Sequence, residues 1–242
     1  MLLSGLTEAK LLKRYKRFLA DVEMPDGEVI TVHCPNPGSM MGINEPGMKV
    51  LLSHSSNVKR KLPWTLQFIE TENSLVLVES ALANMLFHEA FLAALIEPLR
   101  HYDQASAEHS FQDSRFDFLL SSAAAAEQCL VEVKSTTYLD QGVALFPDAR
   151  TERGRKHLRT LGEGVAQGFK ALQFYVVARK DAASFKPAEQ IDHLYAQALR
   201  QAHAGGVSVL AYCLDFNIER AARANQVNLE VSIDRALAID LN

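Results

Sequence analysis

The stretch Leu130-Val131-Glu132-Val133-Lys134-Ser135 combines the apolar, β-branched composition of a buried strand with two charged side chains. Because side chains two residues apart in a strand point to the same face, Glu132 and Lys134 are expected side by side. Burying such charges costs several kcal/mol per ion unless something compensates. A partly exposed strand with an ion pair would explain the pattern in isolation, so the surrounding sequence has to decide.

A second strand-like segment, Ser114-Arg115-Phe116-Asp117-Phe118-Leu119-Leu120, places Asp117 among aromatic and leucine side chains. The polar, Ala-rich residues 121–128 suit a hairpin loop, and pairing of the two strands would bring Asp117 near Glu132 and Lys134. Carboxylates are preferred ligands of Mg²⁺ and Mn²⁺, and a lysine beside them can orient water and stabilise charge on phosphate. This arrangement resembles the PD-(D/E)XK nuclease superfamily.

Composition limits the class of protein. The 242 residues are 48% hydrophobic, enough for one large domain or two small ones. No run of about 18 apolar residues and no signal-peptide pattern occurs, so neither a membrane span nor secretion is expected. The three cysteines are widely spaced, which indicates a reduced, cytoplasmic protein in which each is a small buried side chain.

The net charge of −4 does not by itself suggest a nucleic-acid-binding protein. Charge is uneven, however: residues 1–82 carry nine Lys and Arg against nine Asp and Glu, so the negative excess lies in the rest of the chain. Local clusters therefore matter more than the total.

The first third of the chain has the pattern of a small β domain. Residues 18–33 read as a hairpin around Pro25-Asp26-Gly27, and further strands are predicted at 48–53, 64–70 and 74–80. Five short strands within about 80 residues suggest a barrel such as an OB-fold. From Ala81 the apolar residues recur at helical spacing. We therefore place the domain boundary at 82, with 1–82 as an OB-like domain and 83–242 as a second domain.

Two segments of this first domain are candidate nucleic-acid contacts. In Cys34-Pro35-Asn36-Pro37-Gly38-Ser39-Met40, the prolines exclude helix and the small donors Asn36 and Ser39 could meet phosphate or sugar oxygens. A rigid connection around the barrel is the alternative. Lys59, Arg60 and Lys61 precede the only tryptophan, Trp64, which suits phosphate contact with base stacking, or else a solvated hairpin tip.

The second domain begins with a predicted helix, capped by Ser80 or Asn84 and closed by Pro98. Its apolar stripe would consist of Leu82, Met85, Leu86, Leu92 and Ile96. Glu89 falls on that stripe, and a carboxylate on a buried face needs a partner, so we predict that Glu89 assists the metal site.

The remaining pattern predicts an α/β domain with a mixed sheet. A helix near Thr151 would bury Leu158, Leu161 and Val165, and strands at 171–178 and 207–214 would flank a helix over 187–204. Arg153, Lys156 and His157 could project toward a phosphate backbone or form a solvated face. Residues 219–225 could begin a helix-turn-helix, although a peripheral turn followed by extended chain fits better.

Taken in order, these motifs resemble the sugar fermentation stimulation protein family. The stretches that carry the resemblance are Cys34–Met40, Ser114–Phe118, Val131–Ser135, and Phe146-Pro147-Asp148-Ala149 with Thr151-Glu152-Arg153-Gly154. The resemblance implies an N-terminal OB-like domain and a C-terminal PD-(D/E)XK nuclease-like domain. It also implies largely sequence-independent DNA binding and a role in regulating sugar (maltose) metabolism.

Our preferred hypothesis is a DNA-binding protein with a metal-dependent phosphodiesterase site. Asp117 and Glu132 would hold Mg²⁺ or Mn²⁺ with the Val133 carbonyl as a third ligand, Lys134 would position the water, and Glu89 would assist. Asn36, Ser39, Lys59, Arg60, Lys61, Trp64, Arg153 and Lys156 would contact DNA. The alternatives are a non-enzymatic DNA-binding regulator on a nuclease-derived scaffold and a protein- or ligand-binding module that uses the barrel groove.

Overall fold

The computed structural model of the protein describes residues 1–124, 126–220 and 226–242, and its N-terminal part consists of strands. These are β1 (Leu2–Tyr15), β2 (Leu19–Glu23), β3 (Val29–His33), β4 (Lys49–His54), β5 (Trp64–Glu70) and β6 (Leu75–Leu77). Strand β1 pairs with both β2 and β4, β4 pairs with β5, and β2 pairs with β3. The ring is completed between β3 and β5 by one residue pair, His33 with Thr65, so no continuous ladder closes it.

The predicted 18–33 hairpin and the strands near 48–53 and 64–70 are confirmed, whereas two other assignments differ. The residues before Phe18, several of them basic, form a strand of 14 residues that the apolar pattern did not predict, and Leu6 and Leu11 in this strand are buried. Its many cations obscured the alternation. The last predicted strand, β6, is short and pairs with β5 alone, so the five strands of the ring are β1 to β5.

The rest of the chain adds helices on both faces of a sheet. The helices are α1 (Ala81–Leu92), a 3₁₀ turn (Glu97–Leu99), α2 (Glu152–Ala166) and α3 (His193–Ala204). The strands are β7 (Gln104–Phe111), β8 (Ser114–Ser121), β9 (Gln128–Thr136), β10 (Tyr138–Asp140), β11 (Val143–Phe146), β12 (Lys170–Val177), β13 (Ser184–Pro187), β14 (Ser208–Arg220), β15 (Gln226–Ala236) and β16 (Ala238–Ile239).

The sheet is mixed, as predicted. Strands β9, β12 and β14 are parallel, whereas β7, β8 and β9 form an antiparallel meander and β15 runs antiparallel to β14. Strand β15 also pairs with the start of β1, so one sheet of 12 strands continues from the second domain into the ring. Helix α1 covers one face, where Phe87 packs against Phe118 and Phe174, and α2 and α3 cover the other. The split at residue 82 stays a prediction.

The buried face of helix α1 coincides only in part with the predicted stripe, of which Leu86 and Ile96 are buried. Its buried residues are Ala83, Leu86, Phe87, Ala90 and Phe91, because Phe87 and its neighbours fill the space above the sheet. Met85 and Leu92, two members of the predicted stripe, are 56% and 67% exposed. The helix ends at Leu92, and Pro98 lies in the separate 3₁₀ turn; Ser80 is the N-cap residue, without a side-chain capping bond among the described residues.

The helix predicted near Thr151 is confirmed as α2. Thr151 is the N-cap residue and accepts a hydrogen bond from the Gly154 amide, and Leu158 and Leu161 are buried. The helix predicted over 187–204 begins only at His193, because residues 184–187 form β13.

Asp192 ties the N-termini of α2 and α3 together. Its carboxylate accepts hydrogen bonds from the Thr151 amide at 2.8 Å, the Tyr195 amide at 3.0 Å and the Arg155 guanidinium at 2.9 Å. Burial opposes ionisation, but these donors outweigh it and hold the pKa of Asp192 below its usual value. The ionised form is therefore the one that stabilises the fold.

Replacing Asp192 with asparagine is expected to lower the free energy of unfolding by about 2 kcal/mol at pH 7, because asparagine keeps one acceptor oxygen but loses the second one and the negative charge that pairs with Arg155. A depressed pKa contributes stability above the ordinary aspartate pKa of about 3.9 and loses it as pH falls through the folded value. The difference between variant and wild type should therefore shrink in urea titrations below about pH 3.9. A difference that is constant with pH would contradict this role.

Three further expectations concern the whole chain. Within the described ranges, no helix is long and apolar enough to cross a membrane. Cys34, Cys129 and Cys213 are all buried and free. The suggested helix-turn-helix at 219–225 falls mostly outside the described residues, and Glu219 and Arg220 end a strand instead.

Candidate metal centre

Strands β8 and β9 bring Asp117 and Glu132 together at the point where their ladder ends. The last residue pair of the ladder is Phe118 with Val131, and the two carboxylates lie one residue further on each strand. Asp117 Oδ2 accepts a hydrogen bond from the Val133 amide at 2.7 Å, so the acidic side chain itself bridges the strands. Its Oδ1 accepts a bond of 2.6 Å from the side-chain amide of Asn84 on α1.

The Asp117 carboxyl lies in an unfavourable place for a negative charge. Burial raises its pKa first and the neighbouring Glu132 charge raises it further, against the opposing effects of the Val133 amide, Lys134 and Asn84. Two carboxylates that repel each other in a largely buried site are a typical ligand pair for a divalent cation.

Glu132 is 3% exposed, and both of its side-chain hydrogen bonds are made through the same carboxylate oxygen. Its Oε1 is hydrogen-bonded to both the Lys134 ammonium and Nδ1 of His157. Burial alone would raise the pKa of Glu132, but these two partners outweigh it and the pKa is lowered. Its Oε2 is buried and meets no hydrogen-bond partner among the described residues, which leaves one carboxylate oxygen for a ligand.

His157 is oriented by its other ring nitrogen. Nε2 of His157 lies 3.4 Å from Nε of Arg153, and a guanidinium can only donate. Nε2 is therefore the acceptor, and Nδ1 carries the proton and donates to Glu132. The sequence had suggested that His157 faces phosphate, but it is 4% exposed and points inward, because α2 packs this face against the sheet.

The donor set fits a hard cation. Among the described residues, no group of three or more His, Cys, Asp or Glu side chains is arranged to hold a metal ion, so side chains of these four types supply at most two ligands here. Two carboxylates with one free, buried oxygen leave the remaining positions to amide or carbonyl oxygens and water, which is the usual environment of Mg²⁺, Mn²⁺ and Ca²⁺. The Val133 amide donates to Asp117, and the Val133 carbonyl stays a predicted ligand of the cation.

Glu89, in contrast, is not directed into this centre. Its side chain is 55% exposed and forms an ion pair of 2.8 Å with the amino group of Met1. The prediction failed because Glu89 does not lie on the buried face of α1.

Sequence reasoning also missed two groups that organise the centre. Asn84 was considered only as a helix cap, yet it holds Asp117. Gln173 on β12 donates a hydrogen bond of 3.1 Å to the Glu132 carbonyl and is 0% exposed. A lone polar residue in the apolar run 171–178 was the available signal, the same kind that drew attention to Glu132.

The 34–40 segment is a structural junction. Asn36 is 6% exposed, its side-chain amide donates to the Val78 carbonyl at 3.1 Å, and its Oδ1 accepts from the Gly38 amide at 2.8 Å. Ser39 Oγ donates to the Asp148 carbonyl at 2.7 Å. The structure thus favours the rigid connection over phosphate contact for Asn36 and Ser39, because both side chains are already engaged within the protein.

The cationic loop between β4 and β5 remains open to solvent. Lys59, Arg60 and Lys61 are exposed, although Arg60 also donates to Thr65 Oγ1 at 3.0 Å. Trp64 begins β5, is partly buried and packs edge-on against His54, with ring centroids 4.6 Å apart. Charge is thus available here, whereas only part of the indole could stack on a base.

The two candidate cations on α2 differ. Arg153 is exposed and lies above His157. Lys156 is bonded to the Asp113 side chain and carbonyl, both at 2.9 Å, and this ion pair holds the pKa of Asp113 below its usual value. A phosphate would have to compete with Asp113 for Lys156.

Comparison with known proteins places this architecture in one family. Residues 12–78 match the model described as the SfsA N-terminal OB domain, and residues 81–220 match the sugar fermentation stimulation protein RE domain. The sugar fermentation stimulation protein homolog of Citrifermentans bemidjiense is 43% identical over 237 residues, covering 97% of this chain and 96% of the relative. The homolog of Maricaulis maris is 46% identical, covering 88% and 91%.

The same fold has been solved in an archaeal protein. The structure of Pyrococcus furiosus SfsA in complex with Ca²⁺ is similar with a TM-score of 0.86 and 21% identity, covering 99% of this chain and 98% of that one. Family models account for most of the residues, and the relatives align almost end to end. The chain belongs to the sugar fermentation stimulation protein family.

Proposed function

We propose that the protein binds DNA largely independently of sequence and hydrolyses phosphodiester bonds with a divalent cation, Mg²⁺ or Mn²⁺, held by Asp117 and Glu132. The observation that carries the proposal is that the buried Glu132, the half-buried Asp117 and Lys134 lie together where β8 and β9 diverge. The Ca²⁺ named in the complex of the archaeal relative supports use of a divalent cation. We place the activity in the cytoplasm, with a regulatory role in sugar metabolism.

Each residue of the centre has a distinct task. Asn84 and the Val133 amide orient Asp117. His157 orients Glu132, whose Oε2 has no hydrogen-bond partner in the described part of the chain. A bound cation would supply electrophilic stabilisation of the phosphate and lower the pKa of a water. Lys134, whose side chain is 20% exposed, positions that water and places a positive charge where phosphate charge develops.

The exposed cations at 59–61 supply sequence-independent attraction to the DNA backbone. They lie far along the sheet from the candidate centre. Through β12, Glu132 of β9 is in register with Val209, which lies near the start of β14. The β4–β5 loop lies near the other end of β14, at Arg220, because β15 and β1 connect that end to β4. Eleven residues of straight strand span about 36 Å, or about one turn of duplex. DNA of roughly ten base pairs or more would be needed to reach both.

A second candidate function is a non-enzymatic DNA-binding regulator. It is favoured by the small number of acidic ligands, since no third one joins Asp117 and Glu132 among the described residues. A comparison of wild type with Glu132→Ala separates the two. If wild type cleaves supercoiled DNA with Mg²⁺, and the variant binds DNA equally but does not cleave it, the enzymatic function is supported. If wild type binds DNA but leaves it intact with Mg²⁺ or Mn²⁺, the non-enzymatic regulator is supported.

Neutralising the cationic loop is expected to weaken DNA binding and its salt dependence. For Lys59→Gln/Arg60→Gln/Lys61→Gln, the slope of log K against log salt should fall by about 2–3, since each phosphate contact contributes about 0.9. Fluorescence anisotropy with a duplex of about 20 base pairs between low and physiological salt measures this.

The matched control removes the same charge elsewhere. In Lys49→Gln/Lys170→Gln/Lys180→Gln, three exposed lysines outside the loop are replaced. Equal losses of slope in both triple variants would show that total charge, rather than this loop, drives binding.

A further inference from the structure

Gln173 lies beside Glu132 in the centre of the sheet. The two residues are direct partners in the parallel ladder of β12 and β9, so their side chains point to the same face. That face is the one covered by α2, because Leu130 and Tyr175, two residues away on each strand, pack there with Leu158. Adjacent strands are about 4.8 Å apart, so the two side chains can reach a common ligand.

The orientation of the Gln173 amide is set by its environment. Its nitrogen donates a hydrogen bond of 3.1 Å to the Glu132 carbonyl, so the amide atom that is left as an acceptor is Oε1. Within the described part of the chain, neither Gln173 Oε1 nor Glu132 Oε2 has a hydrogen-bond partner, and both atoms are buried. Leaving a buried acceptor unsatisfied costs about 1–3 kcal/mol, so two neighbouring ones need a common explanation.

We propose that Gln173 Oε1 is a further oxygen ligand of the cation held by Asp117 and Glu132, a role that rests on the proposed function. A cation satisfies buried acceptors that no donor reaches. The neutral amide adds a ligand without adding to the repulsion between the two carboxylates, and amide oxygens are ordinary ligands of hard cations. Glu132 and Gln173 would then reach the ion from the α2 face, and Asp117, which is bonded to Asn84 of α1, would reach it from the gap where β8 and β9 diverge.

The test is calorimetric titration of Mn²⁺ into the metal-free protein, without DNA. Gln173→Leu keeps the volume but removes the oxygen, and we expect Mn²⁺ affinity to fall at least about tenfold. Gln173→Glu keeps an oxygen and adds a charge, and should bind Mn²⁺ more tightly than wild type.

The chain contains a matched control in Gln67. It is also buried, its nitrogen donates to Ser53 Oγ at 2.8 Å, and its Oε1 likewise has no partner among the described residues, but it lies on β5 in the OB part. Gln67→Leu should therefore leave Mn²⁺ affinity unchanged. An equal loss of Mn²⁺ affinity in both leucine variants would overturn the proposal, because it would show that removing any buried amide side chain has this effect.

The outcomes separate this inference from the proposed function. If wild type binds Mn²⁺, Asp117→Ala does not, and Gln173→Leu binds like wild type, Gln173 is not a ligand and the proposed centre stands. If wild type binds no Mn²⁺, both fail together. If Gln173→Leu does not fold, as judged by circular dichroism, Gln173→Glu decides: tighter binding supports the ligand role, and unchanged or weaker binding overturns it.

Discussion

Replacing Asp117 with asparagine is expected to abolish Mn²⁺ binding and DNA cleavage while leaving the fold intact. Asparagine can still accept the Val133 amide, and Asn84 can rotate its amide to present oxygen to the new side chain. The variant thus keeps the bridge between β8 and β9 but loses one of two anionic ligands. Calorimetry with Mn²⁺ and incubation with supercoiled DNA measure the two losses.

The same substitution should stabilise the metal-free protein. Burial and the Glu132 charge raise the pKa of Asp117, so its ionised form weakens the fold. A raised carboxyl pKa costs stability once pH exceeds the ordinary value of about 3.9, and the cost grows until pH passes the folded value. At pH 7, relief of about 1 kcal/mol would raise Tm by about 2–4 °C. The gain should disappear below about pH 3.9.

Asp113→Asn is the matched control, because Asp113 is an exposed carboxylate at the turn of the same β7–β8 hairpin. It should leave Mn²⁺ binding unchanged and should not raise Tm. Wild-type Mn²⁺ affinity in Asp117→Asn would remove Asp117 from the centre, and a lower metal-free Tm at pH 7 would show that its charge is not a burden to the fold.

The sequence revealed Asp117 and Glu132 because charge in an otherwise apolar strand is unusual, and one hairpin is enough to bring the two together. Local patterns also predicted β2 to β5, α2 and the mixed sheet. They could not place the partners that come from other elements. His157 looked like part of a solvated cationic face, and only the packing of α2 on β9 turns it toward Glu132.

Failures elsewhere have a common physical cause. The spacing of apolar residues in α1 predicted that Met85 and Leu92 are buried, but the shape of the aromatic cluster around Phe87 determines which face is buried. The sequence of the 34–40 segment allowed phosphate contact by Asn36 and Ser39 as well as a rigid connection, and the choice depended on contacts with Val78 and Asp148, more than 40 residues away.

The junction that those contacts form explains the glycine at position 38. The Arg14 guanidinium donates to the carbonyls of Asn36, Gly38 and Ser39 at 2.8–3.2 Å, which holds the segment against β1. The other side of the segment meets Asp148, whose Oδ2 accepts from the Met40 amide at 2.8 Å. The two parts of the chain are thus bonded across a contact with no room for a larger residue.

Gly38→Ala is expected to lower the free energy of unfolding by about 2–3 kcal/mol, as overpacking does in a tight contact. An added Cβ would lie 2.4 Å from both carboxylate oxygens of Asp148. That carboxylate cannot simply turn away, because the Met40 amide holds it. Urea titration measures the loss, and Gly162→Ala in α2 is the control. No described residue lies within 4 Å of the Cβ added there, so stability should rise by up to about 1 kcal/mol.

A double-mutant cycle assigns the effect to the junction. In the Asp148→Ala background the clashing oxygens are absent, so adding Gly38→Ala should cost less than about 0.5 kcal/mol even though Asp148→Ala is itself destabilising. Additive losses in the double variant would mean that Gly38 is required by its own backbone rather than by the approach of Asp148. Because the contact joins the OB part to the part that carries the candidate centre, we also expect Gly38→Ala to weaken binding of duplexes longer than about ten base pairs more than shorter ones.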